Sequence, residues 1–220
     1  MENMKVNNLF NLENTIAKEY LEQFEYPYEA LKGIKQYVIE LQKALSSDRY
    51  IIKDDVYISK TANVSEHAVI LGPTIIEDEA EIRPFAYIRG SVIIGKNAIV
   101  GNSSEVKNSI LFNCACVPHF NYVGDSILGY KSHLGAGAKT SNFKSDGTNI
   151  SIKYEDRKIE TNLRKMGAIL GDNVEVGCNS ILNPGTVIGK NTNIYPMSCV
   201  RGYVTENAIY KSESNVVSKR

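Results

Sequence analysis

The sequence predicts a mainly β protein, a parallel β-helix with an N-terminal helical segment, and three observations carry that prediction. Large apolar residues recur every six positions: Ile58, Val64, Ile70, Ile76, Ile82, Ile88, Ile94, Val100, Val106 and Phe112. A mostly small residue stands two places ahead of each, among them Ala62, Ala68, Thr74, Ala80, Ala86, Ala98 and Ser104. The spacing then returns at Leu128 and Leu134, and again at Leu170, Val176, Leu182, Ile188, Ile194 and Val200. Neither a helical nor a plain alternating period fits this pattern. One aliphatic and one small residue per six make one short strand, and three such strands close a triangular coil of about 18 residues. The aliphatic residue points into the prism, the small one sits at the corner, and successive coils stack at about 4.8 Å. Gly171, Gly177 and Gly189 directly follow aliphatic positions. They read as the residues that permit a tight turn, including positive φ.

Residues 1–50 lie outside the repeat and read as helical. NTIAKEYLEQF forms a first piece with Asn14 as its N-cap, and Pro27 breaks the chain before YEALKGIKQYVIELQKAL. In the second piece Leu31, Ile34, Val38, Leu41 and Leu45 make an amphipathic stripe. The expected task of this segment is to cap one end of the solenoid, which otherwise exposes a strand edge. The solenoid itself is expected over 51–205 and a C-terminal tail over 206–220. Between Thr140 and Leu170 the repeat fails. Over 143–167 the alternation of Ile150, Ile152 and Tyr154, followed by EDRK and Ile159, predicts a hairpin projecting from the prism.

Composition excludes several classes. The chain has 220 residues with 25 Lys+Arg against 25 Asp+Glu, so the electrostatic footprint of a nucleic-acid binder is missing. The 43% hydrophobic and 23% charged content is that of a globular protein. No apolar run approaches the roughly 20 residues of a membrane span. The opening MENMKVNNLFNLENT has neither a basic start nor an apolar core, so a cytoplasmic protein is expected. Cys114, Cys116, Cys178 and Cys199 lack finger spacing and read as small buried thiols, with no metal implied.

The repeat also stumbles over CACVPHFNYVGD, where Pro118 and Gly124 stand at positions due a large apolar residue. A local failure of a strict pattern marks a functional or strained site. This stretch holds His119, Asn121, Tyr122 and Asp125. His67 falls inside the regular repeat and reads as solvated, and His133 precedes the aliphatic Leu134.

The phrases IRP (82–84), VGNSSEVKNS (100–109), PHFNYVGDSILG (118–129), LGAGAKTSN (134–142) and LGDNVEVG (170–177) carry a resemblance. The chain resembles the C-terminal acetyltransferase domain of the bifunctional enzyme that makes UDP-N-acetylglucosamine. Its insert is nearer to that of the archaeal sugar-1-phosphate relatives. The resemblance implies a left-handed coil, a homotrimer with sites between neighbours, and acetyl-CoA as co-substrate with no metal. It implies acetylation of an amino-sugar 1-phosphate, glucosamine 1-phosphate first among them. No Gly-rich loop of a nucleotidyltransferase stands near the N-terminus, and at this length no such domain is expected.

Residue by residue, the resemblance makes His119 the general base and Glu105 the carboxylate that orients it. Arg83 and Lys107 become the cations that hold the phosphate. Tyr122, Asn142 and Lys165 match residues around the amino sugar. His133 stands where the family has an asparagine, at the sugar, and Cys178 stands where it has a serine near the thioester carbonyl. The backbone N–H at 178 is available whatever the side chain. Coenzyme A is expected along the later coils, around Gly177 to Met197, with Pro196 among its contacts. Two further readings share the solenoid. A three-histidine metal site lacks the spacing it needs. A sugar-phosphate or nucleotide-sugar binding protein that kept the pocket without turnover is the alternative from another class.

Overall fold

The computed structural model describes residues 1–219 and is a β-helix of three-sided coils. The first face carries Val56–Ser59, Thr74–Ile76, Val92–Ile94, Ala168–Leu170, Thr186–Ile188 and Tyr203–Val204. The second stacks Asn63–Val64, Glu81–Ile82, Ile99–Asn102, Cys116–His119, His133–Leu134, Glu175–Val176, Asn193–Ile194 and Ala208–Ser212, each parallel to the next. The third stacks Val69–Ile70, Tyr87–Ile88, Lys139–Thr140, Ile181–Leu182 and Cys199–Val200. Two longer strands, Glu105–Leu111 and Tyr122–Leu128, run unbroken from the third face into the first.

Those two strands explain the stumble in the repeat. Leu111, not Phe112, fills the prism in register with Ile94, and Val117, Val123 and Leu128 follow it inward. Phe112 instead joins a second apolar cluster outside the prism. The interior positions therefore run Val106 to Leu111 and Val123 to Leu128 with one residue fewer at the same corner. Pro118 and Gly124 were never due an interior side chain. Asn108 (φ 42°) and Asp125 (φ 49°) make this short corner in the left-handed conformation that Asn and Asp tolerate.

The glycines after aliphatic positions have a different cause from the one expected. Gly177 does not have positive φ; a Cβ there would meet the Pro196 nitrogen of the next coil at 2.4 Å. Asn173, Asn179 and Asn191 supply the left-handed corners nearby.

The N-terminal segment is more broken than expected, with short helices Lys18–Leu21 and Pro27–Ala30 and a longer one at Ile34–Lys43. Asn14 is not an N-cap. It ends the 3-10 turn Leu12–Asn14, whose cap is Asn11, with its side-chain oxygen accepting the Glu13 N–H. The segment covers a side of the prism instead of an end. Its Leu31, Ile34 and Val38 pack with a column of outward residues on the first face: Ile75, Ile93, Ile110, Ile127, Ile169 and Val187, all buried. Burial of an aliphatic side chain contributes roughly 1.5–3 kcal/mol, so this column makes the segment part of the fold. Asp172 ties it down, accepting from the N–H of Asn11 (2.7 Å) and of Tyr130 (2.8 Å). Burial pushes the Asp172 carboxyl above its ordinary value, and the two backbone donors oppose that rise.

Antiparallel strands guard the two edges. Tyr50–Lys53 pairs with Val56–Ser59 at one end. At the other end the segment expected as a tail forms Ala208–Ser212 and Asn215–Ser218, a hairpin added to the second face. The inserted hairpin pairs Ile150–Tyr154 with Arg157–Leu163. It lies against the later strands of the first face with Ile150, Ile152 and Leu163 buried, so it clasps the prism where projection was expected. Among the described residues no helix is long and apolar enough to cross a membrane.

Candidate active site

The third face and its corner with the first gather the polar cluster. Asp125, whose side chain is only 8% exposed, holds Lys107 Nζ at 3.0 Å on one oxygen and Asn108 Nδ2 at 2.9 Å on the other. Asn142 Nδ2 donates to the Lys107-bound oxygen as well. Tyr122 completes the group: a methyl at Gly124 would lie 2.6 Å from its hydroxyl and 2.9 Å from Asn142 Nδ2. Burial raises the Tyr122 phenol above its ordinary value, and the Asp125 and Glu105 charges add to the rise. It is therefore a hydrogen-bond donor at neutral pH. The exit of the inserted hairpin is tied to the same corner, because Met166 N–H donates to Asn142 O (3.1 Å) and Gly167 N–H to Asp125 O (2.8 Å). Exposed Lys165 is carried there with them.

The second face carries a groove of about 470 Å³ between its later coils, lined by His133, Gly135, Glu175, Gly177, Cys178 and Pro196 among others. His133 and Glu175 are register partners on adjacent coils, and His133 Nδ1 donates to Glu175 Oε2 at 2.8 Å. The Cys178 N–H has no backbone acceptor among the described residues. Gly135 keeps it open, since a Cβ at 135 would stand 2.7 Å from that nitrogen. His133, Cys178 and Pro196, separated widely in sequence, thus share one wall.

His119 ends the strand Cys116–His119 at the corner between second and third faces, and its side chain is exposed. Buried Asn121 pins this corner: its Oδ1 accepts from His119 N–H (3.0 Å) and its Nδ2 donates to Gly135 O and Ala138 O. Within the chain Glu105 does not meet His119, because its carboxylate accepts from Arg89 Nη1 at 2.6 Å. Arg83 is engaged bidentately by Glu81, at 3.0 and 3.1 Å. The four thiols are free, but they are not the buried group expected: Cys178 and Cys199 are exposed and the other two half-buried. Burial raises the Cys116 thiol above its ordinary value.

The expected site residues therefore divide. Lys107, Tyr122 and Asn142 belong to the third-face cluster, and His133, Cys178 and Pro196 to the second-face groove; Lys165 is exposed and stands one residue before the hairpin exit that is tied to the cluster. His119 stands on the ridge between them. Sequence reasoning did not assign Asp125, which organises the cluster, or Glu175, which holds His133. A column reading would have found Glu175, since it falls one coil below His133 at the same position of the repeat.

Fold and repeat together define a hexapeptide-repeat β-helix protein. Residues 70–176 match the family described as the GMPPB C-terminal domain, and residues 167–202 match the bacterial transferase hexapeptide, six repeats. The chain is 32% identical to the bifunctional protein GlmU of Methanococcus vannielii, over 80% of this chain and 47% of that protein. It is 30% identical to a bifunctional sugar-1-phosphate nucleotidylyltransferase/acetyltransferase of Sulfurisphaera tokodaii, over 74% of this chain and 45% of that one. It thus spans about half the length of these relatives, and it is similar to the C-terminal part of GlmU. Among solved structures, a single-residue mutant of AntD, an N-acyltransferase from Bacillus cereus in complex with dTDP and coenzyme A, aligns with TM-score 0.42 and 20% identity, over 75% of this chain and 81% of that one.

Proposed function

We propose that the protein is an acetyl-CoA-dependent N-acetyltransferase acting on an amino-sugar 1-phosphate, glucosamine 1-phosphate first among them. The observation that carries this reading is the free Cys178 N–H in an open groove beside a histidine. A preorganised N–H aimed at a thioester carbonyl stabilises the oxyanion that develops when an amine attacks. The likeness to the sugar-1-phosphate nucleotidylyltransferase/acetyltransferase of Sulfurisphaera supports the same class of transfer.

In this reading coenzyme A lies in the second-face groove past Cys178 and Pro196. His119 takes the proton from the attacking amine, for which a neutral imidazole is suited. The third-face group of Lys107, Tyr122 and Asn142 holds the sugar phosphate, with Lys165 at its edge, and Arg83 of the neighbouring copy, directly after its second-face strand Glu81–Ile82, turns from Glu81 to the phosphate.

The placement of the two groups favours a shared site. Groove and cluster lie on two faces of the prism, with the exposed His119 at the corner between them. A closed assembly of three copies sets the second face of one against the third face of the next, and each site is then shared.

The direct test incubates the protein with acetyl-CoA and glucosamine 1-phosphate and follows release of the CoA thiol. Release that depends on the amino sugar supports the reading; none with any hexosamine 1-phosphate overturns it. A second reading, sugar-phosphate binding without turnover, is favoured by the engagement of Arg83 and Lys107 by carboxylates. It expects thermal stabilisation by the sugar phosphate with no thiol released.

A further inference from the structure

The His133–Glu175 pair is unused by the mechanism above, although it lines the groove that holds the free Cys178 N–H. We propose that His133, held by Glu175, is the general acid that protonates the departing sulfur of coenzyme A. This rests on the acetyl-transfer reading, and it gives the second histidine a role opposite to that of His119.

The geometry fits a proton donor. Glu175 accepts from Nδ1 at 2.8 Å, which fixes the ring and leaves Nε2 as its free nitrogen. The carboxylate on the far ring nitrogen holds the imidazole in one orientation, as the carboxylate of an acyl-transfer triad holds its histidine. The imidazole of His119 has no such partner among the described residues. One face thus offers a donor to the carbonyl oxygen, Cys178 N–H, and a donor to the sulfur, His133, on adjoining coils.

The step balances. The amine nitrogen forms a bond to the acetyl carbon and the carbon–sulfur bond breaks, its electron pair leaving on sulfur. His119 takes the proton lost by the amine, and His133 Nε2 gives a proton to the sulfur. Water returns a proton from His119 to His133, so the net change is one proton moved from nitrogen to sulfur. No further reactant is needed.

A surface ion pair between coils is the alternative, and the leaving group separates the two. His133→Gln, Glu175→Gln and His119→Ala are assayed in the full chain with acetyl-CoA and with its selenoester analogue, whose selenolate departs without protonation. With acetyl-CoA, His133→Gln is expected to lower kcat at least about tenfold, with KM for the sugar phosphate held within about twofold. On the selenoester it returns close to the wild-type rate, whereas His119→Ala stays slow on both donors. Glu175→Gln follows His133→Gln with a smaller loss. Equal losses of His133→Gln on both donors, or no loss on either, would overturn the assignment. A wild-type protein that transfers acetyl from neither donor overturns the reading beneath it, a distinct result.

Discussion

Asp125→Asn is the most informative single change at the third-face corner. The carboxylate serves three side-chain donors, Lys107 and Asn142 on one oxygen and Asn108 on the other. An asparagine can keep its carbonyl toward Lys107 and Asn142, and its amide then faces the Asn108 amide, donor against donor. Asn108 can turn its amide only by giving up its bond to Leu31 O (3.2 Å) in the N-terminal segment. One half-buried donor left unmatched costs about 1–2 kcal/mol, and loss of charge assistance on two bonds about 1 more. The Lys107 side chain, 17% exposed, keeps some hydration, so the larger penalty of a stranded buried charge does not apply. The expected loss is about 2–3 kcal/mol, or roughly 5–10 °C in Tm for a chain of this size, read by calorimetry. A Tm within about 1 °C of wild type would refute the reasoning, because the corner would then hold without its anion.

Other variants probe other links. His119→Ala is expected to cut thiol release by about 10²- to 10⁴-fold, with KM for the sugar phosphate nearly unchanged; a fully active variant removes His119 from the mechanism. Ile127→Ala opens a cavity beneath the N-terminal segment at a fully buried position, and chemical denaturation should show a loss of about 2–5 kcal/mol. A loss under about 1 kcal/mol would mean that the segment does not depend on that column. Asp172→Asn sets an amide against the N–H of Asn11 or Tyr130, a cost of about 1–3 kcal/mol. Because the folded Asp172 carboxyl lies above its ordinary 3.8, the native state keeps a proton that the unfolded chain has released. Its contribution to stability therefore falls as pH rises from about 4 through the raised value, and the gap in Tm between wild type and variant should narrow over that window. A gap that widens would reverse the sign.

The solenoid was legible because its interior repeats: Ile76, Ile94, Leu170 and Ile188 occupy one column, and their spacing survives in sequence. What misled was a deletion at a corner. One residue fewer between Val106 and Leu111 shifts every later position, so Pro118 and Gly124 looked like violations when Val117 and Val123 had taken the interior places. His119 was singled out beside that false break, and the structure gives it a separate distinction, an exposed ridge between two faces. The cover over the first face has its own signal in the sequence. An apolar residue precedes the interior one at every third strand, Ile75, Ile93, Ile127, Ile169 and Val187, so one outer face in three is apolar and needs a lid. The resemblance named Lys107, Tyr122 and Asn142, but the role of Asp125 in joining them was not legible, because they meet only when a short corner and the exit of the insert are brought together in space.

The central claim is that each site is shared between the second face of one copy and the third face of the next. It is tested by mixing two inactive chains, Cys178→Trp, which fills the groove, and Asn142→Ala, which disables the opposite cluster. After joint refolding in equal amounts, random assembly leaves about a quarter of shared sites with both faces intact, and that share of wild-type thiol release is expected. A mixture no more active than either variant alone would contradict the shared site.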